Sequence, residues 1–201
     1  LEEFKAFNKK YYVPNNGTLV VAGDINKKDI KKLIQDYFGS IPRGAEIERN
    51  FPKEDPITET IKAKAYDANI SIPAIMAAYR TPAMTTKDSR ILDMISSYFS
   101  TGRSSVLYKK IVDEKKMALQ TGAINFSQED YGTYILFGLP QGKTTLDALL
   151  KEIDEEIVKL QTDLISEKDY QKLQNQFENR FVNSNSTVRG IAGSLAEYYV
   201  M

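Results

Sequence analysis

The chain has 201 residues, 42% of them apolar and 27% charged, and its 27 basic side chains balance 27 acidic ones. That composition suits a folded core and leaves no electrostatic footprint for nucleic acid or an anionic membrane. There is no cysteine and no histidine, which excludes a disulfide framework, thiolate chemistry, a Ser-His-Asp triad and any His- or Cys-liganded zinc site within the chain; an all-carboxylate site for Mg or Ca stays open.

In chain order, Leu1, Phe4, Phe7 and Tyr11 recur at helical spacing and predict a helix over 1–12. Pro14-Asn15-Asn16-Gly17 predicts a turn. Thr18 to Ala22 is a short apolar, β-branched run and predicts a strand buried on both faces. Asn26 is placed to cap the next helix, whose apolar face is Ile30, Leu33, Ile34 and Phe38. Gly39 stands where a helix C-terminus favours positive φ. The polar stretch that begins at Arg43 and holds Pro52 and Pro56 predicts an exposed connection, with the linker at 45–56.

Beyond it, Thr58 to Tyr66 alternates apolar and polar residues and predicts a half-exposed strand, and Ser71 to Tyr79 a more apolar one. Helices are expected at Lys87 to Phe99 and Ser105 to Glu114. Ala118 to Phe126 and Tyr131 to Leu139 read as a hairpin. An amphipathic helix follows over Thr144 to Thr162, with Leu146, Leu149, Leu150, Ile153, Ile157 and Leu160 on one stripe. Two more helices are expected, one capped by Ser166 and one over Val188 to Val200. The order predicts an α+β fold: an antiparallel or mixed sheet with helices packed on one face. No apolar run approaches the roughly 18 residues of a membrane span. The chain opens and closes inside helical patterns, so both ends read as cut.

Two segments carry a resemblance. Tyr11 to Gly44, YYVPNNGTLVVAGDINKKDIKKLIQDYFGSIPRG, strings an aromatic residue, Pro-Asn-Asn, an apolar strand, Gly-Asp, a helix, Tyr-Phe-Gly and Ile-Pro. Tyr98 to Lys110 sets a helix end, Ser-Ser and Leu-Tyr around Gly102. Both resemble the insulinase, or pitrilysin, family of zinc peptidases, which includes the mitochondrial processing peptidase. In that family the first segment lies after the zinc motif, at the end of the first of two related domains.

The resemblance implies a division of the chain: 1–44 as the helix–strand–helix tail of the preceding peptidase domain, 45–56 as linker, and 57–201 as most of the following domain, truncated. Active members bind zinc through a His-x-x-Glu-His helix in the first domain. The second domain lends an Arg and a Tyr, seven residues apart, in a pattern like Leu-Arg-Glu-x-x-Gly-Leu-x-Tyr. Here the matching run is Ile111-Val112-Asp113-Glu114-Lys115-Lys116-Met117-Ala118-Leu119. Val112 stands at the Arg position and Leu119 at the Tyr position, and neither side chain donates a hydrogen bond.

No catalytic or metal residue is therefore expected in this chain, and no substrate-binding residue is assigned. Zinc is expected in the preceding domain of the parent, and the chain by itself is expected to be inactive. The implied function is the non-metal-binding part of a zinc metallopeptidase that cleaves peptides or unfolded segments in a two-domain chamber, forming chamber wall and interdomain contact. The alternative is a catalytically inactive member acting as scaffold or processing-complex subunit. Implied partners are a peptide substrate, the zinc-bearing domain and a sibling subunit carrying the Arg/Tyr pair, with a homodimer of the isolated chain through Thr18 to Ala22. Bacterial periplasm and cytoplasm both remain open.

Three other features read as structural. Gly138 to Thr145 imitates a phosphate loop but is one residue short of Gly-x-x-x-x-Gly-Lys-Thr, and Pro140 removes a backbone donor. It is expected to be a strand-to-helix turn with Thr144 as cap. Glu152, Asp154, Glu155 and Glu156 read as the solvated face of their helix, since Ile153 and Ile157 point the other way. Tyr11, Tyr37, Tyr98 and Tyr108 are expected to pack.

Overall fold

The computed structural model describes all 201 residues and divides them into two compact units: residues 57–177, and residues 1–56 with 178–201. The 57–177 unit holds the core. Its three strands, β1 (Ile75–Pro82), β2 (Ala118–Phe126) and β3 (Tyr131–Pro140), form an antiparallel sheet in the order β1-β3-β2. β2 and β3 are the expected hairpin. The residues of β3 alternate, with Gly132, Tyr134, Leu136 and Gly138 buried and the residues between them half-buried. The register puts Ala77, Leu136 and Ala123 side by side on the inner face.

Helices α3 (Lys87–Ser100) and α4 (Leu146–Thr162) and the π-helix Tyr108–Glu114 close the core. Phe99, Leu107, Ile111, Leu149 and Ile153 are fully or almost fully buried against Ala118, Ala123, Tyr134 and Leu136. Several helices start where a hydroxyl can satisfy a free backbone N–H. Thr86 Oγ1 accepts from Ser89 N at 3.2 Å, and Ser166 Oγ accepts from Asp169 N at 3.1 Å at the head of α5 (Glu167–Ser184). At α4 the cap is Thr145, not the expected Thr144: Thr145 Oγ1 accepts from Ala148 N at 3.2 Å. Thr144 is instead tied into the preceding turn, its N–H donating to Gln141 O.

The other unit comprises α1 (Glu2–Tyr11), a 3-10 turn at Pro14–Asn16, α2 (Lys27–Phe38) and α6 (Val188–Val200), with the end of α5. The Asn26 cap is present, accepting from Lys28 N at 2.9 Å and Asp29 N at 3.4 Å. Gly39 departs from expectation: its φ of −65° is ordinary helical geometry, so positive φ is not what the position requires.

Thr18 to Ala22 and Thr58 to Tyr66 also depart, because neither is a strand here. A strand is defined by a ladder to a neighbour, and neither segment has one in the sheet β1-β3-β2. Thr18 to Ala22, expected buried, is largely exposed, and Thr58 to Tyr66, expected half-exposed, is exposed throughout. The second strand likewise begins at Ile75 rather than Ser71, since pairing with β3 starts there at Ile75–Gly138. Tyr37 is exposed, while Tyr11, Tyr98 and Tyr108 are half-buried.

Candidate functional site

The run from Tyr108 to Leu119, where the resemblance places the Arg/Tyr pair, is built by an unusual helix end. The Tyr108–Glu114 helix carries five-residue π hydrogen bonds, and Lys115 N donates to Lys110 O at 3.1 Å. Such widened turns recur at functional sites. The chain then leaves through Lys116 at φ 51°, the left-handed region, the one non-glycine residue in it. Met117 N reaches back to Ile111 O at 2.9 Å, and Met117 O accepts from Gln141 N at 2.9 Å. This is a helix stop of the Schellman kind, widened by the π turn. Lys116 occupies the place of the glycine in the family pattern, and the backbone there has the conformation glycine adopts most readily.

Val112 lies half-buried against the core, whereas Leu119 is 51% exposed. Leu119 sits in an irregularity of the β2–β3 ladder: Ala118 pairs with Pro140 and Gln120 with Leu139, so Leu119 has no partner of its own. A bulge of this type turns a side chain out of the regular alternation. At that place the chain presents an apolar side chain with no donor.

The carboxylates of α4 are not the uniform solvated face expected. Asp154 and Glu155 are exposed, but Glu152 is 8% and Glu156 5% exposed. They flank the buried Leu149 and Ile153, so the same packing covers them. Each has a lysine: Lys115 with Glu152, joining the helix stop to α4, and Lys159 with Glu156 at 2.6 Å. Burial without such pairing would be costly. Burial pushes the Asp154 carboxyl up, and the hydrogen bond to Glu156 pushes the Lys159 ammonium up. No cluster of three or more acidic side chains has metal-holding geometry. With no histidine or cysteine in the chain, these residues do not fit zinc.

The turn from Gly138 to Thr145 has the structural role expected of it. Gly142 takes φ +62°, and the N–H groups of Gln141 and Thr144 donate to Met117 O and Gln141 O. They do not converge on a phosphate site. The four asparagines of glycosylation-like tripeptides are hydrogen-bonded as well. Asn16 donates to Tyr11 O, Asn69 to Asp67, Asn185 to Phe181 O, and Asn125 to Ser89 O, Asp93 and Ser127.

The outer face of the sheet carries no carboxylate. Met76, Ile124, Phe126, Tyr131, Ile135 and Phe137 share it by register. Met76 is 65% exposed, and Arg80 lies over the Tyr131 ring at 5.3 Å. No helix is long and apolar enough to cross a membrane.

One more contact joins the turn expected at Pro14 to Gly17 to the segment after α2. Asn15 Oδ1 accepts from Gly44 N at 2.8 Å, and Asn15 Nδ2 donates to Ala45 O at 3.3 Å. The Pro-Asn-Asn turn after α1 is thereby clamped to the Ile-Pro-Arg-Gly segment after α2. A side chain at residue 44 would meet Val13 Cγ1 at 2.5 Å, so glycine is required for the approach.

The family model described as "Peptidase M16 inactive domain" matches residues 1–177. The chain is 27% identical over 202 residues to "Zinc protease PqqE" of Helicobacter pylori, covering 100% of this chain and 46% of that protein. The crystal structure of a protease from Helicobacter pylori is similar at a TM-score of 0.82 and 25% identity, over 100% of this chain and 49% of that one. The inactive peptidase domain of a zinc protease from Bordetella parapertussis, titled putative, shares the fold at a TM-score of 0.56 and 18% identity, over 63% of this chain and 69% of that one. The chain thus spans about half the length of the Helicobacter relative. With the inactive-domain match running through both Tyr11–Gly44 and the Val112–Leu119 run, the chain belongs to the M16 family of peptidases, in the part described as its inactive domain.

Proposed function

We propose that this chain is the non-metal-binding part of a zinc metallopeptidase that cleaves peptides or unfolded segments inside a two-domain chamber, and that the bare face of its sheet is chamber wall. The observation that carries this reading is the composition of that face. It is apolar and exposed, it lacks any carboxylate, and it belongs to an inactive peptidase domain. Exposed apolar patches of this kind mark interaction surfaces. An extended peptide would lie across it by side-chain contact, while zinc and the general base come from the preceding domain of the parent. The Arg/Tyr pair comes from a sibling subunit, because Val112 and Leu119 cannot supply it.

The test is cleavage of a quenched, unstructured apolar peptide by the full-length parent, with and without a chelator, alone and with a sibling subunit. Chelator-sensitive cleavage is expected, and Phe126→Glu should raise KM several-fold at unchanged kcat by removing uniform binding. No cleavage under any of these conditions would overturn the reading. Val112 and Leu119 favour a second reading, a family member retained as scaffold, and that null result would select it.

A further inference from the structure

The chain has no cysteine, no histidine and no tryptophan, so its five methionines are the side chains most open to two-electron oxidation. Met84, Met94 and Met117 are half-buried, Met117 against the core. Met201 is 56% exposed and Met76 65%. Of the five, Met76 alone lies on the outer face of the sheet, in the apolar surface it shares with Ile124, Phe126, Tyr131, Ile135 and Phe137.

Three features leave its sulfur open. β1 is an edge of the sheet, so no strand flanks Met76 on that side. Its next neighbour along β1 on the same face is Ala78, which is short and itself exposed. Across the ladder Met76 pairs with Phe137, and the Phe137 ring leans the other way. A Cβ at Gly122, the partner of Phe137 on β2, would meet Phe137 Cε1 at 2.9 Å and Cζ at 3.0 Å. The ring therefore covers the glycine and not the thioether.

We propose that Met76 is a reversible oxidation site for hydrogen peroxide, and that its sulfoxide weakens the hold of the outer sheet face on apolar peptides. A lone pair of Met76 Sδ attacks one peroxide oxygen. The S–O bond forms as the O–O bond breaks, and the second oxygen leaves as water. The sulfur gives up two electrons and the peroxide takes them. The product is polar and chiral where the thioether was apolar and flexible, which disrupts a methionine-bearing contact surface. A dithiol-dependent methionine sulfoxide reductase reverses the change, forming a disulfide and water. The consequence for peptides rests on the proposed function, because it takes that face to be chamber wall; the reactivity of Met76 does not.

The experiment treats this chain and the full-length parent with hydrogen peroxide and follows each methionine by tryptic mass spectrometry, since trypsin puts the five on separate peptides. In both proteins Met76 should oxidise roughly tenfold faster than Met84, Met94 and Met117. Cleavage of the quenched apolar peptide by the treated parent should show KM raised several-fold at unchanged kcat. Treatment with the reductases for both sulfoxide epimers should return KM to its starting value. A Met76→Leu parent, compared with its own untreated sample, should show no change in KM after peroxide. Oxidation of Met76 no faster than that of the half-buried methionines would overturn the inference. So would an unchanged KM in an active parent oxidised at Met76, or the same rise in KM in Met76→Leu. A selective Met76 sulfoxide in a parent that cleaves nothing removes the peptidase reading alone. Unselective oxidation in an active parent removes this inference alone.

Discussion

Gly138→Ala tests the account of the core most directly. Gly138 lies on the inner face of β3, paired with Ile75 and Thr121, under α4. A methyl group there would stand 2.7 Å from Leu149 Cδ2, 3.1 Å from Leu149 Cγ and 3.5 Å from Ile153 Cδ1. Both side chains are fully buried, so neither can swing into solvent. Overpacking of this kind costs about 1–3 kcal/mol. Replacing glycine returns about 0.4–1 kcal/mol by restricting the unfolded chain. The net expectation is about 1–2 kcal/mol of destabilisation. Urea unfolding followed by circular dichroism and tyrosine fluorescence should show a lower midpoint at unchanged m, since the exposed surface does not change. The contact can be isolated with Leu149→Ala, which alone should cost about 2–5 kcal/mol. The double variant should be less destabilised than the sum, because the added methyl enters the space the leucine leaves. An unchanged midpoint for Gly138→Ala, or additivity of the pair within about 0.5 kcal/mol, would refute the reasoning.

Three further outcomes follow from single residues. Lys116→Gly should stabilise the chain by up to about 1 kcal/mol in the same denaturation assay, because a left-handed conformation costs a side-chain-bearing residue about 1–2 kcal/mol and glycine's greater loss of freedom offsets part of the gain. Gly44→Ala should open the Asn15 clamp, since Val13 is β-branched and cannot rotate clear. Exchange of the residue-44 amide should quicken about tenfold with the unfolding of 57–177 unchanged. The Tyr134 hydroxyl lies buried beside Ser96, without a well-formed hydrogen bond, and burial pushes its pKa up to about 12. Between about pH 10, the ordinary phenol value, and 12 the folded chain therefore holds a proton that the unfolded chain has lost. Stability should fall with rising pH there, by at most about 1.4 kcal/mol per unit. Tyr134→Phe should reduce that slope in pH-dependent urea titrations, leaving the part due to Tyr79 and Tyr98, whose hydroxyls burial also pushes up, and be neutral or mildly stabilising at pH 7, because no good hydrogen bond is lost.

The elements with their own periodicity were legible in the sequence. The α4 stripe, the β2–β3 hairpin and the Asn26 and Ser166 caps depend on neighbours a few residues away, and each appears where its pattern puts it. What depends on distant partners was not. Thr18–Ala22 and Thr58–Tyr66 have strand patterns, but a ladder needs a second chain segment, and pattern alone cannot supply one. Glu152 and Glu156 looked solvated because acidic residues usually are. Glu156 has its lysine, Lys159, within α4, but the partner of Glu152 is Lys115, 37 positions away in sequence, which no window over α4 includes. The left-handed Lys116 was hidden for a different reason: nothing in a lysine announces positive φ, and only the helix stop around it creates the demand. The same distinction orders the functional residues. Val112 and Leu119 were readable because the family pattern fixes their spacing, and the structure adds that one is packed and the other stands out from a bulge. The turn that carries Asn15 was visible in the sequence, but its contact with Gly44 and Ala45 was not. Its consequence is the larger one, since it ties the end of the turn after α1 to the segment after α2, in a part of the chain that has no buried residue of its own.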